Sequence, residues 1–238
     1  MTATYGRADL HMHTRFSDGR PSVRAVLDHA ARRTNLQVLA ITDHDCIEGA
    51  LEAQALQEQY PFQILIGEEV SSRNGHILAL FVRRCVPPGL SAAETIDAIH
   101  EQGGLAVAAH PFIAAGTFGN QQIAMQGVGT LIGTLPFDGV EIQNSTPFLA
   151  LANFRARRYN RSHARLAELG SSDAHIVEAV GKSYTRFPGR TAEDLRRAIE
   201  ARKTRARHVG YGVGELAAYA GFWWESTRMP RQEVAGAE

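Results

Sequence analysis

Short apolar runs alternate along this chain with longer stretches whose apolar residues recur at helical spacing, the pattern of parallel strands joined by helices. The runs predict strands at Ala8 to His11, Val38 to Thr42, Phe62 to Ile66, Ile77 to Val82, Leu105 to Ala109, Gly139 to Ile142 and Leu169 to Ser172. The periodic stretches predict helices at Ser22 to Arg33, Gly49 to Glu58, Ser91 to Gln102, Pro147 to Glu168 and Thr191 to Arg202. Ser22, Ser91 and Thr191 stand where N-caps belong, and Ser91 with Glu94 and Thr191 with Asp194 have capping-box spacing. Residues Ile113 to Leu135, rich in Gly and Thr and poor in charge, read as a long loop over one end of the sheet, a candidate lid.

A 238-residue chain that is 44% hydrophobic is long enough to bury a large core, and no linker or repeat divides it. One domain over residues 1–230 is expected, with 231–238 as a frayed tail and Phe222, Trp223 and Trp224 packed into the core. The formal charge is zero, which speaks against a protein that coats nucleic acid or forms a stable complex with it. No apolar run approaches the ~20 residues that cross a bilayer. With only Cys46 and Cys85 present, a reducing cytoplasm without structural disulfides is the expected setting.

The strand ends carry a pattern that neither period nor propensity requires. They read Asp9-Leu10-His11-Met12-His13, Thr42-Asp43-His44-Asp45, Gly67-Glu68-Glu69, His76, Ala109-His110-Pro111 and Ser172-Asp173-Ala174-His175. In a parallel α/β barrel the C-terminal strand ends converge on one face, so these residues would meet there. His11 and His13 alternate along a strand and so share a face, able to bind one ion together. Imidazole with carboxylate suits zinc, iron or manganese better than calcium or magnesium. Taken singly, each group has a plainer use: Asp43 and Asp45 can close a turn, and Ser17-Asp18-Gly19 is an ordinary turn sequence. His29, His100, His163 and His208 lie away from any second ligand type and read as surface or packing residues.

Asp9 to Thr14, Ser17-Asp18-Gly19, Ile41 to Asp45, Gly67 to Ser71, Ala109-His110-Pro111 and Ser172 to His175 follow one another as an ordered set over most of the chain. That set resembles the polymerase-and-histidinol-phosphatase (PHP) family. The resemblance implies a distorted seven-stranded (β/α)7 TIM-like barrel with a trinuclear site. Carried over by motif, His11, His13, Glu69 and Asp173 would hold one ion, Glu69, His76 and His110 a second, and Asp18, His44 and His175 a third. Glu69 is chosen over Glu68 by the Gly-x-Glu spacing, which leaves Glu68 pointing the other way. Similar proteins acting on nucleotides often carry a helical insertion before Ala-His-Pro, where this chain has only Arg83 to Gly104. Some follow that motif with a basic residue, where this chain has Phe112, Ile113 and Ala114.

The expected function is hydrolysis of a phosphate ester by a metal-bound hydroxide, with two or three divalent ions as cofactors and a small phosphorylated substrate, a nucleotide or short 5′-phosphorylated oligonucleotide among the candidates. Asp18 and His175 are candidates for the general acid. Arg15, Arg20 and Lys182, with Arg186 beyond, are candidate phosphate contacts. Two other readings are an amidohydrolase-like enzyme cleaving a C–N bond and a non-catalytic metal-binding accessory domain. The first commonly uses a carboxylated Lys, and no Lys falls at an expected strand end.

Overall fold

The computed structural model describes residues 4–113, 116–118, 121–123 and 126–226. In chain order the strands are β1 (Tyr5–Asp9), β2 (Val38–Ile41), β3 (Gln63–Ser72), β4 (Gly75–Leu80), β5 (Leu105–Ala108), β6 (Gly116–Phe118), β7 (Gln121–Ile123), β8 (Gly139–Asn144), β9 (Ala167–Ser171), β10 (Ser183–Pro188) and β11 (Arg205–His208). The helices are α1 (Val23–Arg33), α2 (Glu48–Ala55), α3 (Ala92–Glu101), α4 (Ala150–Tyr159), α5 (Ala192–Glu200) and α6 (Val213–Ser226).

Nine strands form one curled sheet in the order β11-β10-β1-β2-β3-β4-β5-β8-β9. Seven of them, β1 to β5 with β8 and β9, are those expected from the apolar runs, and the barrel class holds. The sheet nearly closes where the chain beyond β9 meets the chain beyond β1: Asp173 donates its N–H to the His11 carbonyl at 2.8 Å and His13 donates to the Ala174 carbonyl at 2.9 Å. Asp9 helps to seal this seam, accepting the Ser172 N–H at 2.9 Å and the Gly181 N–H at 2.7 Å.

Period-two alternation explains the layers. Ala8, Val38, Ala40, Leu65, Leu78, Val107 and Leu169 point into the barrel and share one core, while Leu39 and Ile41 point outward onto α1, α2 and α6. A second outer layer packs Ile77, Ala79, Ala106 and Val140 against α3 and α4. The expected caps are in place: Ser22 accepts the Ala25 N–H, and complete capping boxes start α3 and α5.

Four features depart from the sequence reading. β3 does not end at Ile66 but continues to Ser72 and turns through Arg73-Asn74 into an antiparallel β4. Two residues are too few for the crossover that a parallel neighbour needs. The helix expected over Pro147 to Glu168 starts only at Ala150; its α-turns end at Tyr159, a π-helical turn carries it on over Asn160–Ala164, and it ends where Arg165 takes a left-handed φ of +54° and Leu166 bonds back to the Asn160 side chain. The 113–135 segment is not a plain loop; it carries the β6–β7 ladder and a 3-10 turn over Gly129–Gly133. β10, β11 and α6 were not anticipated: β10 pairs antiparallel with β1 and carries β11, whose Arg205–His208 offers no apolar signal. Phe222 and Trp223 pack on the outer core as expected, while Trp224 is exposed. The expected tail, 231–238, lies outside the described residues, and no described helix is long and apolar enough to cross a membrane.

Phe187 is the fully buried anchor of β10, inserted where Gly6 has no side chain; a Cβ at Gly6 would lie 2.6 Å from its ring. Phe187→Ala is expected to cost roughly 3–5 kcal/mol in urea unfolding, whereas a β10 that is peripheral to the barrel would lose under 1 kcal/mol.

Candidate metal centre

The extended segment after β1 brings His11 and His13 to the barrel rim, both fully buried. β1 itself ends at Asp9, and Met12 continues the line by bridging Ala174. Glu69 lies just past the point where β3 stops pairing with β2, next to His44. His110 and Asp173 follow β5 and β9 in left-handed backbone, at φ +26° and +54°. Because β4 runs antiparallel, its first turn carries His76 to the same face on which its neighbours end. All nine expected ligands are thus brought together.

Glu69 is the hub. Its Oε2 lies 3.0 Å from His11 Nε2, 3.3 Å from His13 Nε2 and 3.4 Å from His44 Nε2, and its Oε1 lies 3.1 Å from His76 Nδ1 and 3.0 Å from His110 Nε2. Asp173 Oδ1 faces His13 Nε2 at 3.1 Å and His11 Nε2 at 3.4 Å. Asp18 Oδ2 faces His175 Nε2 at 3.1 Å and His44 Nε2 at 3.8 Å. The cluster is closed at Glu69 and opens at Asp18, whose side chain is 55% exposed, and, less widely, at His44 and His175, 25% and 15% exposed.

The chemistry of this donor set fits metal ions. His11 Nδ1 donates to Glu141 Oε1 at 3.0 Å, and His175 Nδ1 donates to the Asp173 carbonyl at 3.0 Å. Each neutral ring therefore aims the lone pair of Nε2 at a carboxylate, two acceptors that coexist only around a proton or a cation. His76 Nδ1 approaches Glu69 without hydrogen-bond geometry, as ligands of a shared ion do. Without metal, protons fill the role. Burial alone would lower the His13 pKa, but Asp18, with hydrogen bonds to Asp173 and Glu69, raises it to about 10. Burial would raise Glu69 and Asp173, yet the facing histidines, His11 foremost, hold both well below the usual carboxylate range. Among the described residues, four triads have donor atoms within 4.8 Å of one another: His11-His13-Asp173, His11-Glu69-His110, His13-Asp18-His175 and His13-His44-Glu69. The cluster is able to bind metal.

The supports around these groups were not foreseen. Glu141, buried in β8, also accepts the His110 N–H at 2.9 Å and so orients two candidate ligands. Asn144 Nδ2 and Thr146 Oγ1 donate to Asp173 Oδ2 at 3.0 and 3.2 Å. Asp43 accepts from the Thr14 N–H, the Thr14 hydroxyl and the Ser17 hydroxyl at 2.6–2.7 Å, pinning the loop that holds Asp18. Gly49 makes room for that carboxylate, since a Cβ there would lie 2.2 Å from Asp43 Oδ2. Glu141 sits mid-strand in an apolar run, an acidic residue where burial is expected, and that mismatch was the available signal.

The candidate phosphate contacts separate. Arg15 is exposed beside the rim, its Nε donating to the Arg20 carbonyl at 3.1 Å. Arg20 reaches α6, ion-paired with Glu225 and stacked over Phe222. Lys182 pairs with Glu215 and lines a different cavity with Arg7 and Arg33, and Arg186 covers Tyr5, so neither is brought to the cluster. Of the histidines set aside, His100 pairs with Asp138 and His208 with Ser183, as packing residues do.

A family model described as PHP-associated matches residues 150–204. An uncharacterized protein of Methanocaldococcus jannaschii is 35% identical over 150 residues, covering 58% of this chain and 82% of that relative. The chain belongs to the PHP family. A 3′,5′-nucleoside bisphosphate phosphatase of Chromobacterium violaceum is 41% identical over 83 residues, 33% of this PHP chain but only 29% of that enzyme. Among solved structures, a two-domain protein of Bacteroides vulgatus containing a predicted PHP-like metal-dependent phosphoesterase superposes with a TM-score of 0.69 at 19% identity. It covers 87% of this chain and 66% of its own, and at that identity the likeness speaks to the PHP fold.

Two substitutions probe the supports. Glu141→Gln can accept from only one of its two donors, so ion affinity is expected to fall about 10–100-fold in chelator competition; unchanged affinity would mean that Glu141 does not orient the ligands. Glu68, on the opposite face of β3, accepts the Val86 N–H at 2.9 Å and the Cys85 S–H at 3.0 Å, and burial pushes its pKa up to about 7. Since that lies above the ordinary value, the folded state binds the proton more tightly, and stability declines as pH rises from below 4.5 through about 7. Glu68→Gln should therefore raise Tm by roughly 5 °C more at pH 8 than at pH 5. An equal shift at both pH values would remove ionisation as the cause.

Proposed function

We propose that this chain hydrolyses a small phosphate monoester at a trinuclear centre. What carries the proposal is the convergence of six imidazoles and three carboxylates on one buried cluster that opens on a single side, at Asp18, His44 and His175. His11, His13, Glu69 and Asp173 would hold one ion, Glu69, His76 and His110 a second, and Asp18, His44 and His175 a third. Zinc, iron or manganese suits such donors, and ions held there coordinate phosphate oxygens, offset charge building in the transition state and acidify bound water.

The chain's own residues do the rest. Glu69 presents both oxygens to the cluster, Oε2 to His11, His13 and His44 and Oε1 to His76 and His110. Asn144 and Thr146 fix Asp173, and Glu141 fixes His11, so the donors are held before substrate arrives. With two ions bound, the His175–Asp18 pair remains at the open rim, where it holds a proton between Nε2 and Oδ2, 3.1 Å apart, in reach of a leaving oxygen. With three, the pair is a ligand. Arg15, exposed in that loop where Arg20 is ion-paired with Glu225, is placed to grip a second phosphate.

The stretch of likeness to a nucleoside bisphosphate phosphatase supports a nucleotide substrate. A balanced formal charge favours a small molecule over a stable nucleic-acid complex, and two unpaired cysteines fit a reducing cytoplasm.

Metal analysis of the purified protein should find two or three ions per chain, with turnover of phosphate monoesters and none of an amide panel. His11→Ala should lower kcat/KM by about 100-fold or more. Fewer than two ions, or full activity in His11→Ala, would overturn the trinuclear reading. Amide cleavage alone would point to an amidohydrolase-like enzyme, and metal binding without any turnover to an accessory domain.

A further inference from the structure

α4, with the segment that leads into it, and α6 wall a cavity of about 770 Å³ that includes Phe148, Phe154, Leu216 and Trp223; Asn144 and Thr146, the donors to Asp173 Oδ2, line it as well. The surface on both sides of it is apolar. Phe148 is 83% exposed and Val213 87%, and Leu151, Phe154 and Leu216 are exposed too. Along α6 the exposed Val213, Leu216, Ala217, Ala220 and Trp224 recur at helical spacing, so this helix turns one apolar stripe to the core and another to solvent. Phe148 also holds a left-handed φ of +74°, a strained backbone for a bulky residue that gains little burial from it. Contiguous apolar surface of this kind marks a place where something docks.

Charge is distributed just as unevenly. The formal charge of the whole chain is zero, yet no Asp or Glu lies between Glu141 and Glu168, a stretch that holds Arg155, Arg157, Arg158, Arg161 and Arg165. All of these arginines are exposed. Arg157 donates to Gln143 Oε1 at 3.0 Å, and the other side chains pair with no described carboxylate. The spacing of Leu151, Phe154, Arg155 and Arg158 puts them on one exposed face of α4, the apolar pair at its N-terminal end beside Phe148 and the basic pair following. Arg161 and Arg165 extend the basic end through the π-helical turn.

We infer that the α4–α6 face docks on an anionic lipid surface. Its aromatic and aliphatic side chains enter the boundary between headgroups and acyl chains, and the arginine row meets the lipid phosphates. The chemistry of the patch favours this occupant over two others. Bases of a nucleic-acid single strand would stack on Phe148 and Phe154 but gain nothing from Leu151, Val213 and Leu216. A second copy laid face to face would set arginine row against arginine row, over a stretch with no carboxylate to receive either. Docking of this kind needs no spanning helix, and none is present among the described residues. It is also independent of the reaction that the metal cluster performs.

The metal-loaded full chain is sedimented with vesicles of phosphatidylcholine alone, or of phosphatidylcholine with about one-third phosphatidylglycerol. It should sediment with the anionic vesicles only, and rising salt should release it. Arg155→Gln combined with Arg158→Gln should weaken that binding roughly tenfold or more, since each cation at the surface contributes about fivefold. Phe148→Asn combined with Phe154→Gln should also weaken it about tenfold or more, through lost apolar burial. These positions are exposed and Asn accepts a left-handed φ, so Tm should stay equal, which separates lost docking from lost folding. Absence of sedimentation with anionic vesicles, equal sedimentation with both compositions, or wild-type affinity in either double variant would overturn the inference. So would two outcomes in which vesicles are not bound. Self-association that the Phe148→Asn, Phe154→Gln variant abolishes would give the face to a second copy, and single-stranded DNA binding that both variants weaken would give it to nucleic acid.

Discussion

The structure turns on one carboxylate. Glu69 is buried and faces five imidazole nitrogens within 3.4 Å, an arrangement that is stable only if positive charge sits among them. Protons can supply it, and the raised His13 and depressed Glu69 and Asp173 describe that state. Metal ions supply it with more charge and defined geometry, and they displace those protons as they bind. The barrel rim therefore stores an electrostatic demand that a divalent cation satisfies.

Much of the local structure serves to hold that demand in place. Glu141 and Asp43 each spend two carboxylate oxygens on fixing the segments that carry His11, His110 and Asp18. Asp9, buried at the seam, has its pKa pushed up to about 6 by that burial, even though Ser172 and Gly181 donate to it. Asp45, His110 and Asp173 all adopt left-handed backbone at or beside the cluster. Such conformations cost stability and persist where surrounding bonds over-determine them, as the Asp173 N–H to the His11 carbonyl and the Ser71 N–H to Asp45 Oδ1 do here.

Around this fixed end the fold leaves another end free to vary. The loop before α4 and the whole of α6 are additions to the seven-strand frame, and they build the aromatic wall behind Asp173. Arg20, a candidate phosphate ligand from sequence, instead holds α6 through Glu225. The candidate metal cluster and this aromatic wall are thus built by different parts of the chain that meet at Asp173.

The candidate metal ligands were legible because their types violate what strands otherwise require: His11, His13, Glu69 and Asp173 put ionisable groups where apolar period predicts burial, and the order of their motifs is specific. The seven frame strands were legible because buried strands read as apolar runs. β11 and α6 were not. Arg205–His208 shows no apolar period, and α6 is hydrophobic around most of its circumference, so neither pattern says which face is inside. The antiparallel β4 escaped because an apolar run has no direction, and only the two-residue turn after Ser72 reveals it. By itself, then, the sequence determined the candidate ligand types and the frame, set by local alternation, while the choice of Glu69 over Glu68 came from the Gly-x-Glu spacing of the family it resembles. Tertiary structure alone decided that Glu141, Asn144 and Asp43 stand behind the ligands, that Arg20 and Lys182 are spent on α6, and that aromatic residues from distant segments meet beside Asp173. Those contacts join positions far apart in the chain, and no local period records them.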